Sequence, residues 1–414
     1  MKINKKIKIA LAAILSACSL LNLTGCSENK REPENLILGA EVTKTQYSPI
    51  TLTDNNTVNS IRLFDAIIAD KKNAMFSPIS LNMALGLIEA GADGETKAEI
   101  DEYLQTENYA DFAKRYIDRT KLLTFESDDK QKSKNVLELA NSFWSDNTLP
   151  IKDEYKQRVS DKFSAEIKNL DFANKESTIK EINGWVNEKT HKMIPAILDD
   201  YNADLVAVLI NTVYFESAWA DEWDIDEKKK ESFTLPDGTS KELPLMYNGG
   251  DSYFENDYAA AFSCNYKNKL KFIGILPKDS GEFTLESLDI LSLLASETYD
   301  YDVSAVMPRL SFESAFPLKE ALIAAGIESV FDDEKADLSG ISDEPLFLSD
   351  ILQKTCLELD EKKTKAAAVT WGMLNAGAPM PRERKTVRLD RSFAFMIYDP
   401  VEDQILFVGK VTDP

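Results

Sequence analysis

The chain carries one histidine, His191, and four cysteines, so any imidazole catalyst has a single candidate. A Ser-His or Cys-His nucleophile pair would have to use it, and zinc chemistry built on several histidines is excluded. His191 follows a helical pattern ending at Thr190 and adjoins Lys192, the setting of a surface histidine rather than a base. Two motifs imitate acyl-transfer enzymes, Ser27-x-x-Lys30 and Ser145-Asp146-Asn147. No Lys-Thr-Gly follows them, so both read as coincidence. Asp200-x-Asn202-x-Asp204 opens like a calcium loop, but Leu205 stands where glycine is needed and Asn211 where a bidentate glutamate belongs. Asp332-Asp333-Glu334 reads as a solvated loop. Cys264 and Cys356 fall in strand-like sequence with no helix start to lower a thiol pKa, and read as two buried thiols rather than one bridge. No enzyme is expected, and no cofactor or metal is implied.

What remains is the segment 360–392. After an alternating strand ending at Leu359 come Asp360-Glu361-Lys362-Lys363-Thr364-Lys365-Ala366-Ala367-Ala368-Val369-Thr370, then Trp371-Gly372-Met373-Leu374-Asn375-Ala376-Gly377-Ala378-Pro379-Met380-Pro381-Arg382-Glu383-Arg384. Some twenty residues without helical or strand patterning are uncommon inside a compact domain, and such stretches are usually functional.

The elements that must hold this segment are legible around it. Of 414 residues, 43% are hydrophobic, including 20 Phe, 14 Tyr and 5 Trp, enough for a sizeable core. A net charge of -22 disfavours nucleic-acid binding. Helical spacing runs through Val58, Ile61, Phe64, Ile67 and Ile68. Ser77-Pro78 opens a second helix, with Ser77 read as its cap and Gly91 as a left-handed stop. Thr96 to Glu99 has capping-box spacing. Further helices are expected over 177–190 and 317–326, and strands over 136–144, 205–215, 270–276, 303–310, 347–359, 393–398 and 405–408. The 205–215 strand is apolar on both faces, as a central covered strand would be. No repeat or linker breaks 54–414, which reads as one α+β domain.

The first 25 residues read as an address. Lys2, Lys5, Lys6 and Lys8 precede an apolar run from Ile9 to Leu23, and Leu23-Thr24-Gly25-Cys26 follows. This resembles a bacterial lipoprotein signal, cut before Cys26, which would then carry the lipid. Ordinary secretion with cleavage near Ala17-Cys18 is the alternative. Residues 26–53 are polar, carry Pro33 and Pro49, and read as a flexible tether. The expectation is an exported protein, lipid-anchored to the bacterial cell envelope or surface.

Across the domain the sequence resembles the serpin family. The carriers are Asn73-Ala-Met-Phe-Ser77-Pro78-Ile-Ser80 running into Ala90-Gly-Ala-Asp-Gly-Glu-Thr96, Asn211-Thr-Val-Tyr-Phe215 with Trp219, Met307-Pro-Arg-Leu310, Ala336-Asp-Leu-Ser-Gly340, and Phe393 through Pro414. The resemblance implies a single serpin-like domain with a large central mixed β-sheet, two further sheets, about eight to nine helices and an exposed reactive-centre loop near 361–386. It implies a monomeric inhibitor that is acylated by a serine protease and inserts its cut loop into the main sheet. Side chains alternate between strand faces, so the inserted face must be small and uncharged. Thr364, Ala366, Ala368, Thr370 and Gly372 supply that face, with Glu361, Ala367 and neighbours forming the hinge. Lys363 and Lys365 depart from the family pattern but fall on the other face, where their stems can reach water. By the same resemblance Ser77, Ser80, Asn211 and Gln353 form a shutter, with Trp219 at a breach. Gln353 replaces a common histidine and is expected to hydrogen-bond Asn211. Counting thirteen residues from Thr364 puts the reactive bond at Gly377-Ala378, with Ala376, Met380, Arg382 and Arg384 as alternatives. Small residues there favour elastase-like proteases; the arginines would suit trypsin-like ones, and Met373, Leu374 and Met380 leave subtilisin-like or chymotrypsin-like targets open. The alternative reading is a non-inhibitory serpin acting as a cell-surface binding protein.

Overall fold

A computed structural model describes residues 36–38, 50, 55–69, 71–106, 108–126, 134–202, 205–361 and 382–414. They form one compact unit, Glu32–Pro414. Cys26, Thr364, Ala366, Ala367, Ala368, Thr370, Ala376, Gly377, Ala378 and Met380 lie outside the described residues.

The long apolar alternations build a sheet buried on both faces. Its order is Leu310–Pro317, Asp350–Leu359, Ala207–Glu216, Lys134–Asp146, with Phe125–Glu126 and Glu166–Leu170 on the far edge. The two middle strands run parallel, while their outer neighbours pair antiparallel, so the sheet is mixed. Leu139, Phe143, Val213 and Leu357 turn inward to the main core, where the wholly buried helix Pro78–Glu89 lies. Trp144, Ile210 and Leu352 turn outward and are covered by the helix Lys175–Lys189 and the chain that follows it. This two-sided cover explains strands that read as continuous hydrophobic runs.

A second six-stranded sheet, antiparallel throughout, runs Ser252–Glu255, Ala259–Asn265, Lys271–Pro277, Phe393–Asp399, Gln404–Val411 and Asn73–Phe76. A four-stranded sheet joins Arg384–Arg388, Asp302–Pro308, Leu245–Gly250 and Asp224–Ile225. Eight α-helices are present among the described residues. The α+β expectation and its three principal sheets are borne out.

Several local expectations are corrected. Ser77 makes no cap bond, because its hydroxyl is turned away to donate to Leu406 O at 2.6 Å. Gly91 is not left-handed. It is small because a Cβ there would lie 2.4 Å from Ile341, and the positive φ falls on Gly94. Thr96 is not a cap either. Asp93 caps the helix Gly94–Leu104, while Thr96 and Glu99 accept from the backbone amides of Asp337, Glu328 and Ser329. Within the segment read as a tether, Leu36–Leu38 forms a strand parallel to Leu198–Tyr201.

Candidate functional site

The joint between the two parallel middle strands is closed at one end. Five register pairs, Asp350 with Val208 through Lys354 with Thr212, hold it. Behind it sits a fully buried polar cluster. Gln353 Oε1 accepts from the Ser77 amide at 2.8 Å, and its Nε2 donates to Ser77 O at 3.1 Å and to Asn211 Oδ1 at 3.2 Å. Asn211 Oδ1 also accepts from the Ser80 hydroxyl at 2.5 Å, while its Nδ2 donates to Ser80 O at 2.9 Å and to Asn141 Oδ1 at 2.7 Å. Gln353 thus bonds helix and both strands as a group that donates and accepts.

At the other end the joint is open. Beyond Lys354 and Thr212 the strands run on, each still paired to its outer neighbour but not to the other. The wedge between them is floored by Phe215, Trp219, Tyr266, Leu357 and Leu359, with room for about one water. Trp219 stacks on Tyr266 at 4.4 Å and donates its indole N–H to Asp360 O at 2.9 Å. Glu361, 8% exposed, pairs with Arg309 at 2.6 Å, and Arg309 reaches Glu227 at 2.6 Å. The Glu361 carboxylate pushes the Arg309 guanidinium pKa up. Glu361, the last described residue before 362–381, therefore lies at the mouth of the wedge.

A lid of chain crosses the closed end on the outer face. Lys354 is fully buried, donates to Ala196 O at 2.9 Å and pairs with Glu313 at 3.2 Å. At the foot of the same strand, Asp350 Oδ1 accepts three amides, from Leu318, Lys319 and Ile351. Burial nevertheless raises its carboxyl from 3.8 to about 7.

The structure brings together Ser77, Ser80, Asn211 and Gln353, including the expected Gln353–Asn211 bond, and puts Trp219 and Glu361 at the open end. Arg382 and Arg384 lie on the far side of the segment. Arg382 donates to Tyr299 O at 2.8 Å, and Arg384, the first residue of its strand, pairs with Asp302 at 3.2 Å. Sequence reasoning missed Asn141, Lys354 and the Arg309–Glu361 pair. A polar residue on the inward face of each strand was the available signal for Asn141, and a lysine inside an apolar alternation for Lys354. His191 sits at the surface against Glu138 at 3.0 Å and Tyr214. Cys264 and Cys356 form no disulfide; Cys264 is buried, and burial pushes its thiol well above the usual range, but Cys356 is half-buried rather than buried as expected.

The comparisons agree with this architecture. A family model described as Serpin (serine protease inhibitor) matches residues 54–414. The chain is 30% identical over 369 residues to an uncharacterized serpin-like protein of Thermococcus kodakarensis, spanning 87% of this chain and 85% of that protein. It is 29% identical over 387 residues to leukocyte elastase inhibitor A of Mus musculus, spanning 88% and 99%. Among solved structures, the thermophilic serpin tengpin in its native state matches with a TM-score of 0.74 and 28% identity, over 90% of this chain and 98% of that one.

Proposed function

The chain belongs to the serpin family of serine protease inhibitors, and from that premise we propose that it traps an elastase-like protease by loop insertion. The observation that carries this reading is the wedge. Two parallel strands, each laddered on its outer side, are unpaired to one another where the segment after Glu361 begins. A cut segment free to move would add there, gaining a ladder on both edges, and would drive the closed end apart. Thr364, Ala366, Ala368, Thr370 and Gly372 would face the core beside Val213 and Leu357, where a charge would cost several kcal/mol, on the order of 5. The other face, with Lys363 and Lys365, would meet the outer side. Insertion is the bistable step that converts one peptide-bond cleavage into a large movement.

The reactive bond of this proposal is Gly377-Ala378. Arg384 is already engaged in a sheet and in an ion pair with Asp302, which favours a bond upstream of it. The proposed site of action is the cell envelope, through a lipid on Cys26. Incubation with an elastase is expected to give a complex that survives boiling in detergent, and the nicked molecule is expected to melt higher than the intact one. Cleavage at 377–378 with no such complex and no gain in melting temperature would make the protein a substrate.

A further inference from the structure

The strand Lys134–Asp146 is paired from Val136 to Ser145 with Ala207–Glu216 on one edge. Its other edge is covered only at the ends. Phe125–Glu126 lies against Lys134 and Asn135, and Glu166–Leu170 against Ser142 to Asp146. Between them, among the described residues, no strand lies opposite Val136 to Asn141. In an antiparallel pair every second residue turns its amide and carbonyl away from its partner strand. Leu137 shows which residues these are: its N–H and C=O meet the Thr124 hydroxyl at 3.1 and 3.3 Å. Leu139 is next in that alternation, and Asn141 after it. Neither Leu139 main-chain group nor the Asn141 amide meets a partner among the described residues.

A cavity of about 400 Å³ fills the gap, lined by Ile117, Thr120, Leu139, Asn141, Glu166 and Trp185 among others. Asn141 is 1% exposed, and its Nδ2 is buried without a partner. A buried orphan of this kind costs about 1–3 kcal/mol, and orphaned main-chain groups beside it are uncommon. The cavity therefore lacks one acceptor for Leu139 N–H, one donor for Leu139 C=O and one acceptor for Asn141. Donor and acceptor at that spacing are the two sides of an extended peptide unit. The open stretch from Glu138 to Asn141 is about 13 Å long at strand rise, room for three or four extended residues. The cavity is apolar at Ile117, Leu139, Ala140 and Trp185, with Lys121, Glu138, Glu166 and Lys189 also among its lining residues. A side chain turned toward Ile117 and Leu139 is favoured if it is uncharged.

We propose that this sheet edge is a binding slot for a short, uncharged, extended peptide segment, which adds as a strand opposite Leu139 and Asn141. The slot is wired to the joint. Asn141 Oδ1 holds Asn211 at 2.7 Å, and Asn211 holds Gln353 across the closed end at 3.2 Å. A peptide that fixes Asn141 binds the closed sheet better than the opened one, and by linkage keeps it closed. This regulatory half rests on the inhibitory reading above; the binding half does not.

The test is a titration of the full-length chain with acetyl-Ala-Leu-Ala-amide, read by residue-resolved hydrogen exchange. Protection of the Leu139 and Asn141 amides is expected to rise about tenfold or more, with 208–212 and 350–354 unchanged. No change at 139 and 141 up to millimolar peptide overturns the slot, as does protection confined to 208–212 and 350–354, which would mean entry at the joint. Thr120→Trp, which fills the cavity, should remove the protection in a variant that melts like the parent. Saturating peptide should also lower the yield of elastase complex by roughly twofold. An unchanged yield alongside protected Leu139 overturns the coupling. A chain that forms no complex even without peptide, yet protects Leu139, refutes the inhibitory reading and leaves the slot standing.

Discussion

The two ends of one strand pair differ in what holds them. Over 350–354 and 208–212 the strands share a ladder, and Gln353, Asn211, Ser77 and Ser80 tie them to the helix behind. A few residues on, the same strands share no ladder, and Trp219 and Tyr266 floor a small wedge between them. Parting the first region means breaking a buried, mutually satisfied network, whose members are each expensive to leave unpaired. Parting the second breaks no ladder pair between the two strands. A sheet built this way opens directionally, from the mouth inward, and the closed end sets the resistance.

The sharpest way to break this contrast is to block what would enter the mouth. Thr364→Arg places a charge on the face that must be buried, so elastase should still cleave while stable complex falls by about tenfold or more on denaturing gels. Asn211→Ala attacks the closed end. It strands Ser80, Asn141 and Gln353, and thermal unfolding should show a loss of about 3 kcal/mol. Asp350→Asn tests the foot of the same strand by pH. All three amides bond to one oxygen, which Asn keeps. Because the folded-state pKa is raised to about 7, the wild type loses stability as pH climbs from about 4 to 7 and no further. The melting advantage of the Asn variant should therefore grow through that window and stay level above it. Trp219→Phe keeps the stacking at the open end and removes one N–H to Asp360; the cost should be only about 1 kcal/mol, a third of that at Asn211. His191→Ala lies outside both regions and should leave trapping unchanged in the same gel assay.

Much of this was readable in advance. Ser77, Ser80, Asn211 and Gln353 are far apart in the chain, and the family likeness rather than local pattern gathered them. Helices and strands followed from periodicity, because burial on a fixed face leaves a periodic trace. What pattern could not supply was the destination of polar groups that serve a distant segment. Thr96 and Glu99 have the spacing of a cap, yet they grip 328–337. Ser77 stands at a helix start, yet its hydroxyl reaches Leu406. Gly91 is required by Ile341, a neighbour 250 residues on. The open edge at Leu139 was invisible for a related reason, since a missing strand leaves no mark in the strand it fails to pair with.

The chain downstream of 382 is woven into two sheets. Arg384–Arg388 lies against Asp302–Pro308, while Phe393–Asp399 and Gln404–Val411 are interior strands of the antiparallel sheet, with neighbours on both sides. Severing the backbone anywhere in 362–381 thus yields two polypeptides but a single particle. Gel filtration should report the size of the uncut protein, and only a denaturant should free the short carboxyl-terminal piece.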